Sequence, residues 1–136
     1  MKIFLDANIL FSAANYTSKT RELLIGASRY ADLVTGFHTH EEAYRNLSLK
    51  TPAHVLGLEN LQEYVKIVNA FYNPGIKNLP EHDVPVLAGA IGSKCTFLWT
   101  SDKRHFGKLY GKMVHEVTVI SNQMLVDILF EMGWNP

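Results

Sequence analysis

Short, continuous apolar runs alternate along this chain with segments of helical periodicity, and this alternation restricts the fold more than any other feature. Residues 3–5, 32–35, 64–68, 96–100 and 117–120 are the strand candidates. Residues 3–5 and 96–100 read as continuous apolar runs, as expected of strands covered on both faces, whereas 64–68 alternates. Between them the pattern turns helical. Leu23, Leu24 and Ala27 mark a helix over 20–28. Thr39-x-x-Glu42 has the spacing of a capping box and opens a helix through 49. Pro52 precedes a helix over 53–62. Residues 83–93 form another, whose small residues Ala88, Gly89, Ala90 and Gly92 suit close packing on a sheet. Ser121 caps a last amphipathic helix carrying Met124, Leu125, Ile128 and Leu129. Pro74, Gly75 and Pro80 make 73–80 a loop. Strands that alternate with helices pair in parallel through crossovers, so the expected architecture is a three-layer α/β/α fold around a five-stranded parallel sheet.

A chain of 136 residues suits a single domain, here 1–136. Hydrophobic residues make up 47% of it, enough to fill a core between the layers. No apolar run approaches the roughly 18 residues of a membrane span, and the N-terminal segment lacks the small-residue cleavage site of a signal peptide. Cys95 is the only cysteine, which excludes an internal disulfide and suits the reducing cytoplasm. Thirteen basic residues balance thirteen acidic ones, so net charge argues neither for nor against a polyanionic partner. There is no glycine-rich phosphate loop and no G-x-S-x-G nucleophile turn.

The topology gathers acids. In an open parallel sheet the strands' C-terminal ends and the N-termini of the following helices share one edge. Asp6 closes the first strand, and Asp102 follows the strand that ends at Thr100. Glu42 falls in the first turn of one helix and Asp83 at the start of another. Each has a purely structural reading: Asp6 as a turn residue, Glu42 closing the capping box with Thr39, Asp83 and Asp102 as N-caps. Those separate readings do not account for four carboxylates on one rim. Crowded carboxylates repel and take up protons unless a cation compensates them, and hard oxygen donors suit Mg²⁺ or Mn²⁺ better than zinc. Such sites hydrolyse phosphodiesters. His38 and His40, two apart, would face the same way on an extended segment, but no third zinc ligand accompanies them. A phosphoaspartyl receiver or phosphatase is the alternative for a lone strand-end Asp; the phosphatase needs a second Asp where this chain has Asn8.

The segments FLDANILFSA, THEEAYRNL, HDVPVLAGAIGSKCTFLWTSDKRHF and VISNQMLVDIL occur in an order that resembles the PIN-domain nucleases, including their bacterial toxin branch. The resemblance implies RNA cleavage dependent on Mg²⁺ or Mn²⁺, leaving a 5′-phosphate and a 3′-hydroxyl. It implies Asp6, Glu42, Asp83 and Asp102 as catalytic metal ligands, with Asn8 and Thr100 supporting them. An antitoxin protein and a homodimer are the partners it implies, with RNA as substrate. Many relatives carry a further acid shortly after the position of Asp102, where this chain has Lys103, Arg104 and His105. These three, with Lys108, are candidates to grip the RNA backbone, as are Arg21 and Arg45. Tyr44, Phe71, Tyr72 and Tyr110 are candidates to stack on bases. A PIN-like module that binds RNA with little or no cleavage is the competing outcome.

Overall fold

The computed structural model describes residues 1–69 and 84–136. Asp83, Phe71, Tyr72 and the expected loop 73–80 lie outside the described residues. β1 (Lys2–Leu5) leads at once into α1 (Ala7–Ala13), followed by α2 (Lys19–Ser28), β2 (Asp32–Gly36) and α3 (Phe37–Lys50). α4 (Val55–Asn60), flanked by 3-10 turns at Pro52–His54 and Leu61–Glu63, precedes β3 (Val65–Val68). Then come α5 (Val84–Gly92), β4 (Phe97–Trp99), α6 (Lys103–Phe106), β5 (Met113–Val114), β6 (Val117–Ile120) and α7 (Asn122–Glu131).

The strands form one sheet in the order β3-β2-β1-β4-β6-β5. The five expected strands pair in parallel, and register sets Leu5 beside Trp99 and Phe4 beside Val34. A sixth strand, β5, adds an antiparallel edge to β6. Its tight turn uses His115 and Glu116 at φ 47° and 70°. Hairpin turns of this kind favour Asn and Gly, so neither residue advertises the turn in the sequence.

Successive residues of each strand enter opposite layers, because side chains alternate across a sheet. Ile3, Leu5, Leu33, Trp99 and Ile120 pack with α1, α2, α3, α4 and α7, whereas Phe4, Val34, Leu98, Val117 and Val119 pack with α5 and α6. The expected three-layer α/β/α architecture is therefore present.

Three local features depart from expectation. Residues 7–13 form α1, a helix too short to show a long periodic pattern; Ala7, Leu10, Ala13 and Ala14 are buried at three- and four-residue spacing. α3 begins at Phe37 with Gly36 at its N-cap and no side-chain cap bond. The Thr39–Glu42 capping box therefore does not form, because the helix has already started two residues earlier. His38 and His40 consequently sit on a helix rather than an extended segment, about 200° apart around it.

Arg21 is also redefined. It is 8% exposed, and its Nη1 donates to the carbonyls of Ala13 (2.9 Å) and Gly57 (3.3 Å). The guanidinium lies over the Tyr16 ring at 4.4 Å. These contacts tie α1, α2 and α4 together, and a side chain so committed is poorly placed to meet phosphate. Gly57 permits the approach: a Cβ there would stand 1.9 Å from the Ala14 carbonyl oxygen.

Candidate active site

The chain runs outward from β1 to β2 and β3, then returns to place β4 on the other side of β1. Strand order reverses between β1 and β4, and in open α/β sheets the crevice beyond such a reversal is where ligands bind. Asp6 ends β1 there. The Thr100–Asp102 turn ends β4 beside it.

Asp6 is 4% exposed and caps α1. Its Oδ1 accepts from the Ala7 amide at 2.7 Å, and its Oδ2 accepts from the Thr100 hydroxyl at 2.8 Å and from Asn8 Nδ2 at 3.2 Å. Thr100 is completely buried. Its Oγ1 also accepts from the Asp102 amide at 3.1 Å and from Asn8 Nδ2 at 3.4 Å. One hydroxyl thus links the carboxylate of Asp6 to the backbone of Asp102. Asn8 closes the network from below, its Oδ1 accepting from the Ser101 amide (3.1 Å) and hydroxyl (3.0 Å).

Asp102 caps α6, its Oδ1 accepting from the His105 amide at 3.2 Å. The His105 ring donates through Nδ1 to Asp102 Oδ2 at 2.9 Å, with the two side chains 26% and 24% exposed. The capping role expected of Asp102 is therefore real, and Asp6 also caps a helix. Capping engages one oxygen of each carboxylate, Oδ1 in both. His105 belongs to this acid network, while Lys103, Arg104 and Lys108 are exposed around it.

Tyr110 completes the surroundings. Its ring packs on the core beneath α5 and α6, and its hydroxyl donates to the Thr100 carbonyl at 2.9 Å. Burial raises the phenol above its ordinary value, and the negative charges of Asp102 and then Asp6 raise it further. Sequence reasoning offered Tyr110 only as an aromatic that could stack on bases. Nothing local marks its role, which depends on a loop bridged to Val119 of β6.

Glu42 lies in the second turn of α3, half-buried beside the stripe of Thr39, Ala43 and Leu47 that faces the core. Arg45, one turn further on, is exposed. Among the described residues no three histidine, cysteine or acidic side chains cluster closely enough to hold a metal. The structure therefore joins Asp6 and Asp102, with Asn8 and Thr100, into one network. Glu42 sits on the neighbouring helix, and Asp83 is outside the described residues. The donors at the joined site are hard oxygens without a thiolate, a set that fits Mg²⁺ or Mn²⁺. Magnesium in particular is commonly held by one or two carboxylates, with water and phosphate completing its sphere.

The fold is PIN-like, and Asp6 and the Thr100–Asp102 turn lie where its strand order reverses. No family model and no curated protein matches the chain. Among solved structures seven chains do. One belongs to VapBC2 of Rickettsia felis, solved bound to a DNA fragment from their promoter; it is 14% identical with a TM-score of 0.66, covering 89% of this chain and 98% of that one. Another belongs to VapBC-1 of nontypeable Haemophilus influenzae, 14% identical with a TM-score of 0.59, covering 90% of this chain and 99% of that one. At this identity the likeness concerns the fold.

Proposed function

We propose that this chain is a metal-dependent endoribonuclease and the toxin of a toxin–antitoxin pair. The observation that carries the reading is the Asp6–Thr100–Asp102 network at the point where strand order reverses. The fold likeness to VapBC complexes supports the toxin assignment. No helix among the described residues is long and apolar enough to cross a membrane, and the cytoplasm, where RNA is abundant, is the proposed site of action.

Asp6 and Asp102 would hold Mg²⁺ or Mn²⁺, with Glu42 and Asp83 as the further ligands. A bound divalent ion supplies a polarised water and neutralises charge on the phosphodiester. The chain's own residues do the rest. Thr100 and Asn8 keep the Asp6 carboxylate in one orientation; supporting bonds of this kind tune ligands that are otherwise free to rotate. The His105 amide and ring hold both oxygens of Asp102. Lys103, Arg104 and Lys108, with Arg45 on α3, offer exposed positive charge to the RNA backbone. An antitoxin and a second copy of the chain are the proposed protein partners.

Asp6→Asn and Asp102→Asn test the proposal. Each should lower Mn²⁺-dependent RNA cleavage by orders of magnitude while leaving the circular-dichroism spectrum unchanged. Cleavage that persists undiminished in EDTA overturns the metal site. RNA binding without any cleavage by the unmodified protein favours the non-cleaving module instead.

A further inference from the structure

The peptide unit between Thr100 and Ser101 is held at both ends. Its carbonyl accepts from the Tyr110 hydroxyl at 2.9 Å, and its amide donates to Asn8 Oδ1 at 3.1 Å. Thr100, the residue after β4, is already tied to β6 by its own amide, which donates to the Ile120 carbonyl at 3.1 Å. The two grips differ in origin. Asn8 belongs to α1 and reaches up from beside Asp6, whereas Tyr110 comes from the far side, out of the loop between α6 and β5. That loop is itself pinned to β6, with the Gly111 amide on the Val119 carbonyl at 2.8 Å and the Val119 amide on the Lys112 carbonyl at 3.2 Å.

Just past the end of a strand, a peptide plane has no ladder partner to set its tilt. The tilt of this one decides where Asp102 points, because Asp102 follows directly, and its amide must still meet Thr100 Oγ1 at 3.1 Å. We infer that Tyr110 is a positioning residue for the acid site: its hydroxyl fixes the Thr100–Ser101 peptide plane so that Asp102 is presented beside Asp6. The phenol is suited to this task. Its ring is wedged against the core beneath α5 and α6, and a phenol carries its proton at neutral pH, so its O–H is available as a donor. This inference rests on the proposed role of Asp6 and Asp102 as metal ligands.

Tyr110→Phe removes the hydroxyl and keeps the ring. Three quantities are measured on the full chain: Mn²⁺ affinity by calorimetry, steady-state cleavage of a fluorogenic RNA oligonucleotide, and hydrogen exchange of the Ser101 amide in metal-free protein. Loss of a direct outer partner of a metal ligand typically costs 10- to 100-fold in affinity or activity, and Tyr110 acts one bond further out, through the Thr100–Ser101 peptide. The expected result is therefore a fall of up to roughly 10-fold in Mn²⁺ affinity and kcat, KM for RNA essentially unchanged, and faster exchange at Ser101. A role confined to stability would lower Tm and leave Mn²⁺ affinity and kcat per folded molecule unchanged, and that outcome overturns the inference while the proposed nuclease function stands. If the unmodified protein neither binds Mn²⁺ nor cleaves RNA, the function falls and the positioning role falls with it. Wild-type Ser101 exchange in Tyr110→Phe also overturns the inference, whatever the activity.

Discussion

Replacing Thr100 by valine is the sharpest single perturbation of the site. Valine keeps the branched shape inside a completely buried position, so no cavity forms. What disappears is one oxygen that donates to Asp6 Oδ2 at 2.8 Å and accepts from the Asp102 amide at 3.1 Å and, more weakly, from Asn8 Nδ2 at 3.4 Å. A bond to a charged group is worth about 1.5–3 kcal/mol, and a neutral one about 0.5–1.5. Because these bonds share an atom they do not add in full, and about 2–4 kcal/mol is the expected loss. A chain of 136 residues unfolds with an entropy near 0.29 kcal/mol/K, which makes the fall in Tm roughly 7–14 °C. Thr100→Ser retains the oxygen and loses only a methyl group, about 1 kcal/mol. Urea titration followed by tryptophan fluorescence measures both. The reasoning is refuted if valine is tolerated as well as serine, since the hydroxyl would then hold nothing that matters.

Other outcomes follow from neighbouring features. Arg21→Leu should cost about 2–4 kcal/mol by leaving the Ala13 and Gly57 carbonyls unpaired, yet the folded fraction should cleave RNA at the wild-type rate; a selective rise in KM for RNA would restore a phosphate role. Gly57→Ala places a methyl group against the Ala14 carbonyl and should destabilise by about 3 kcal/mol or more, which thermal melts would show. His40 is held below its ordinary 6.5 by burial, against a smaller opposing effect of Glu41, and its Nε2 has no hydrogen-bond partner among the described residues. The unfolded chain therefore binds this proton first as pH falls, so the stability tied to neutral His40 is complete above about 6.5 and is lost below it. Denaturation curves from pH 7.5 to 5.5 should be flatter for His40→Leu, and equal slopes would exclude the effect.

Much of this was legible in the chain itself. The strands at 3–5 and 96–100 were visible because burial on both faces demands unbroken apolar runs, the strand at 64–68 showed by its alternation, and strand–helix alternation then dictates the rim on which Asp6 and Asp102 lie. Helix boundaries were less legible. Gly36 starts α3 through its backbone alone, so the Thr39–Glu42 pattern marked the wrong turn, and α1 is too short to declare its period. The β5–β6 hairpin was hidden because tertiary pairing holds His115 and Glu116 in a turn usually built from other residues. Sequence by itself determined the types of the main elements and the places of Asp6 and Asp102 at strand ends, since those depend on local periodicity and capping chemistry. Only the tertiary structure decided that β1 and β4 are neighbours at the reversal of strand order, that Thr100 joins Asp6 to Asp102, that Arg21 is bound inside, and that Tyr110 reaches the site. Those facts rest on contacts between segments far apart in the chain, and no local pattern encodes them.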